Sequence, residues 1–245
     1  MFRSGNPALR AETFQTGVRT LGGEAMTLDG SVNKTGISLV ILIACAALQW
    51  NQVFGEATPL LMLLGLLGGL VLALVTVFKK DWAPVTTPLY AALEGLLLGG
   101  ISLTFEARYP GIAVNAVGLT FGTFAVLLLA YRSHLIRATE NFKLGVVAAT
   151  GGIALLYLVS MVLGFFGKNI PFIHDAGPIG IAFSVAVVAI AALNLVLDFD
   201  FIERGSAMGA PKYMEWYAAF GLLVTLVWLY LEMLRLLAKL QDRRR

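Results

Sequence analysis

Apolar residues in this chain recur in seven long runs, roughly 36–54, 59–78, 84–105, 111–131, 143–166, 177–200 and 216–238. Each approaches the ~20 residues that a helix needs to cross a hydrocarbon layer about 30 Å thick. The pattern predicts seven transmembrane helices. Short polar separators divide the runs: "KKDWAP", "EARYPG", "RSHLIRATENFK", "GKNIPFIHD" and "ERGSAMGAPKYMEW". Trp50, Trp82, Tyr109, Tyr131, Tyr213 and Trp216 fall near the run ends, where aromatic belts sit. Gln49 and Asn51 interrupt the first run, so the alternative is six helices with a short re-entrant segment. Residues 1–33 read as a polar cytoplasmic tail without the apolar run of a signal peptide, 34–240 as the membrane domain, and 241–245 as a basic tail. No internal repeat stands out.

Composition agrees. Of 245 residues 58% are hydrophobic and 13% charged, whereas soluble domains carry about 25% charged residues. Cys45 is the single cysteine, so no internal disulfide can form. With the N-terminus in the cytoplasm, the inner segments hold 11 Lys and Arg and the outer segments 7, which favours that orientation; the closing "DRRR" opposes it. Small residues dot the spans at Gly65, Gly68, Gly69, Gly95, Gly99, Gly118, Gly122, Gly151 and Gly152. These let helices approach closely within one chain, the reading preferred here, or between two copies in a homo-oligomer.

Four acids lie in or at the ends of the spans: Glu94, Asp198, Asp200 and Glu232. A carboxylate inside a bilayer costs roughly 2.5–3.5 kcal/mol on insertion scales and normally faces protein or water. Glu94 falls near the midplane in "LYAALEGLLLGG" with no charged neighbour within a turn, so it needs water or a polar group on another helix. Asp198 shares a face with Asn194, four residues earlier. It reads as an inward-facing acid able to exchange a proton or cation, or as one snorkelling to water. Asp200 points elsewhere and precedes Arg204 by four residues, an expected ion pair. Glu232, near the far interface and three residues before Arg235, reads as a surface pair. Asn115, Thr120, Thr150, Ser184 and Thr225 are the candidate polar partners.

The stretch "LDFDFIERG" resembles the end of the sixth helix in the Bax inhibitor family of membrane proteins, the TMBIM and YccA-like group. The last span, "LLVTLVWLYLEMLRLLAKL", is similar to that family's closing helix, and "MTLDGSVNKTG", "ATGGIALLYL" and "APKYMEWYAAFG" look like its bacterial branch. The resemblance implies an all-α integral membrane protein, a seven-helix bundle with the last helix central, in the bacterial inner membrane. It further implies a pH-sensitive calcium or proton leak gated by two aspartates. Asp198 matches the first; Thr225 stands in the second place, which breaks the pair, and a shifted alignment would offer Glu232 instead, which its depth near the far interface disfavours.

Two functions follow as expectations. One is a cation pathway through Glu94, Asp198, Asp200, Asn194 and Thr225. The other is a non-conducting protein whose tail contacts a membrane protease or another integral partner. An enzyme is not expected. His134 and His174 lie on opposite membrane sides, no lysine sits mid-span in the last helix for a retinal Schiff base, and Asp198 and Asp200 diverge by about 200° around a helix. No cofactor, dedicated metal site or nucleic-acid partner is expected.

Overall fold

The computed structural model describes residues 24–168, 170, 173 and 175–243. Among these, seven helices are long and apolar enough to cross a membrane. They are α1 (Leu28–Trp50), α2 (Thr58–Phe78), α3 (Ala83–Arg108), α4 (Ile112–Arg132), α5 (Glu140–Phe165), α6 (Pro178–Ala207) and α7 (Met214–Asp242). Most of the tail expected over 1–33 lies outside the described residues, and α1 already begins at Leu28. The re-entrant alternative falls. Gln49 lies in the last turn of a continuous helix, fully buried, with its amide donating to the Thr58 carbonyl at 3.2 Å.

Local chemistry sets the helix starts. Thr27 caps α1 by accepting the Gly30 N–H at 2.9 Å, and Thr139 caps α5 by accepting from Phe142. Gly111, at φ +84°, supplies the left-handed turn before α4. Pro88 sits inside α3, as membrane helices tolerate where neighbours satisfy the freed carbonyl.

The described residues form two compact units. One combines α1, α2 and α3 with Asp200–Val224. Its packing places small residues inside and large ones outside. Gly65 of α2 meets the Leu93 carbonyl of α3, while Gly95 and Gly99 of α3 meet the Leu42 and Ala46 carbonyls of α1. Leu60, Leu63, Leu67, Leu70 and Leu74 of α2 point outward, where lipid replaces water as the neighbour. Thr76 and Thr86 join α2 to α3 by a 2.7 Å hydroxyl pair. The expected intramolecular use of glycine holds at these positions. It fails at Gly118, Gly122, Gly151 and Gly152, where an added Cβ would meet nothing within 4 Å.

Within the same unit, the segment before α1 is strapped to the α6–α7 connection. Met26 N–H donates to the Ala210 carbonyl at 2.7 Å, Ala25 bridges Pro211, and Thr27 donates through backbone and hydroxyl to Glu215. Lys212 pairs with Glu215 at 3.1 Å, and that hydrogen bond raises its ammonium above the ordinary lysine value.

The other unit contains α4, α5, α6 as far as Phe199, and α7 from Thr225 onward. Here α6 and α7 run antiparallel, since Asp198 meets Thr225 near one end and Lys239 meets Gly180 near the other. Tyr109, expected in an interfacial belt, is buried and donates to Asp242 at 2.7 Å. Of all seven helices α7 is the most buried, in keeping with the expectation for the last helix.

Candidate functional site

Asp198 is 4% exposed on α6. The Thr225 hydroxyl of α7 donates a hydrogen bond to its carboxyl group, while Oδ2 is buried with no hydrogen-bond partner among the described residues. One turn earlier Asn194 donates to Thr150 Oγ1 of α5 and to the Ile190 carbonyl, both at 2.8 Å. Three helices thus meet around a carboxyl group and neutral polar partners. No Lys or Arg lies within a turn of Asp198 on its own face, and its hydrogen-bond partner among the described residues, Thr225, is neutral. A buried carboxyl in that setting is either protonated or shared with a cation or water.

Aromatic side chains pack beside it. Phe199 packs edge-on against Phe124, with centroids 5.7 Å apart, and lies 5.8 Å from Tyr131. In the other unit Phe201 packs against Tyr217. The alternation of Asp and Phe in "DFDF" therefore reflects successive side chains pointing to different neighbours around α6. Asp200 makes the predicted pair with Arg204, at 2.9 Å.

Glu94 belongs to the first unit. The expected partner on another helix gives way to one on its own: Tyr90, a turn earlier, donates to Oε1 at 3.2 Å. Oε2 is buried without a hydrogen-bond partner and stands 3.6 Å from the Cβ position of Gly69. The missing side chain at Gly69 leaves room for the carboxyl group between α2 and α3.

Glu232 departs furthest from expectation. Its pairing with Arg235 is present, yet it is no surface pair, because Glu232 is 2% exposed. The Tyr157 hydroxyl of α5 donates to Glu232 Oε1 at 3.0 Å and accepts from Arg235 at 2.7 Å. Lys239, two turns further along α7, is 5% exposed and donates to the Ile173 and Gly180 carbonyls at 2.7 and 3.0 Å. Sequence reasoning passed over Tyr157 and Lys239. The available signal was spacing: Thr150 and Tyr157 lie seven residues apart, as do Thr225, Glu232 and Lys239, and a seven-residue step returns to nearly the same helix face.

Seven apolar helices with carboxyl groups turned into their packed interiors define a multi-pass integral membrane protein. The family model described as Bax inhibitor 1 like matches residues 6–242, nearly the whole chain. The chain belongs to that family. Comparison with curated proteins and with solved structures gave no significant match.

Proposed function

We propose that this protein is a cation leak pathway, passing calcium or protons, lined by carboxyl groups embedded in the membrane. The observation that carries the reading is Asp198: a fully enclosed acid held by the neutral Thr225, with one oxygen left without a hydrogen-bond partner. An acid so placed offers a binding step for a cation or proton at a depth where lipid offers none. Glu94, with its own orphan oxygen, is a second membrane-embedded acid, and Asp200 with Arg204 marks the charged end of α6. The membrane is the bacterial inner membrane, with the N-terminus cytoplasmic.

Purified protein in liposomes, loaded with a calcium or pH dye, tests this directly. The wild-type chain is expected to dissipate an imposed gradient, and Glu94→Gln or Asp198→Asn to slow it. Unchanged flux in both variants rejects the pathway.

The strap of Met26 and Thr27 on Ala210 and Glu215 favours a second reading. It fixes where the N-terminal tail leaves the fold, giving a membrane protease or another integral protein a defined handle. Pull-down dependent on residues 1–30, with no flux in liposomes, supports that alternative.

A further inference from the structure

Asp198 opposite Thr225 sets the antiparallel register of α6 and α7. Counting back along α6 and forward along α7, the next levels pair Ala191 with Glu232 and Ser184 with Lys239. The contact of Lys239 with Gly180, one turn from Ser184, fits that register. Each step is seven residues, about 10.5 Å of helix, so the seam runs about 21 Å from Thr225 to Lys239. Three buried oxygens along it have no hydrogen-bond partner among the described residues: Asp198 Oδ2, Glu232 Oε2 and Ser184 Oγ. All three residues are at most 4% exposed. Orphan buried oxygens on one face are the groups that internal water satisfies.

Resting on the pathway reading above, we propose that this seam is a proton relay, with Glu232 as its second station, and that it excludes calcium. A proton taken up on the Asp198 carboxylate leaves through water to the Glu232 carboxylate. It then passes, through water at Ser184, to the solution beyond Lys239. Each hop makes one O–H bond and breaks another, so no co-reactant is needed. The charged and titratable groups facing Glu232 are Tyr157 from α5 and Arg235 and Lys239 from α7; Asp175, before α6, faces Lys239. Calcium needs roughly six to eight oxygen ligands, and each level of the seam leaves a single unpartnered oxygen about 10.5 Å from the next, whereas a proton needs only one acceptor at each station.

Proton and calcium flux are measured in separate liposomes with trapped dyes. Wild type is expected to pass protons and not calcium, and Glu232→Gln to slow proton flux by about tenfold or more. A second measurement needs no flux. Ser184→Cys, on a Cys45→Ala background, is treated with neutral, water-soluble hydroxyethyl methanethiosulfonate, which attacks ionised and therefore hydrated thiols. Ser184→Cys is expected to react and Val196→Cys, buried off the seam, to stay unreacted. Equal labelling of the two, a wild-type rate in Glu232→Gln, or calcium crossing as fast as protons overturns the relay. If Asp198→Asn still slows the leak in those cases, the pathway stands without it. If neither ion crosses in wild type, the pathway itself falls.

Discussion

Thr225 gives Asp198 a hydroxyl where the resemblance led one to look for a second carboxyl group. One acid and one alcohol titrate once; two touching acids share a proton and titrate in two separated steps. Thr225→Asp is therefore expected to give the leak a pH dependence with two transitions, read as liposome flux across a pH series. A flux profile identical to wild type would mean that residue 225 does not share the ion's surroundings. The pairing of positions 198 and 225 was legible in the sequence, because the closing segments of α6 and α7 carry family-like patterns around them. Glu232 was misread for a physical reason. Its distance along the helix and its near neighbour Arg235 were both visible, but its burial depends on Tyr157 of α5, and one sequence does not say which helices adjoin. Glu94 was misread the other way: its polar partner was one turn away on its own helix, overlooked because it is an uncharged tyrosine.

At the scale of helices, glycine pairs of identical spacing do different things. A Cβ on Gly99 would stand 2.5 Å from the Ala46 carbonyl oxygen, an atom of backbone that cannot turn aside. Gly99→Ala must therefore push α1 from α3, and overpacking of this kind costs about 1–3 kcal/mol. Gly122→Ala meets no atom and replaces a poor helix former with the best one, a gain of up to about 1 kcal/mol. Thermal unfolding in detergent should show a clear drop in Tm for the first and none for the second. Equal midpoints would remove the close α1–α3 approach from the account. The seven helices themselves were legible because apolar length is a property of the chain alone. Which glycine faces a neighbour is a property of packing, and α4 and α5 turn theirs to open space. The buried Gln49 makes the same point: it looked like an interruption, and it is an internal hydrogen bond at the end of α1.

For the whole molecule, seven crossings put the start of α1 and the end of α7 on opposite sides of the membrane, and the side each takes is read from the basic residues. The "DRRR" ending and the nearby Arg235 and Lys239 argue for a cytoplasmic C-terminus only if all of them act as free interfacial charge. Arg235 is bound to Glu232 and Tyr157, and Lys239 is enclosed with the Ile173 and Gly180 carbonyls. Lys143, counted for the inner side, is also buried, next to Glu140. Arg204 and Lys212, also counted for the inner side, are bound to Asp200 and Glu215, so discounting engaged residues takes three from the inner side and two from the outer and leaves the excess of basic residues on the inner side. A fluorescent protein fused before residue 1 should then fold and fluoresce in the cytoplasm. Alkaline phosphatase, which needs an oxidising compartment to form its disulfides, should be active when fused after residue 245. The reverse pattern would overturn the orientation and invert the direction assigned to the seam, leaving its stations where they are. Activity of both reporters on one side would instead require an even number of crossings, and the seven-helix reading would have to give up one of them.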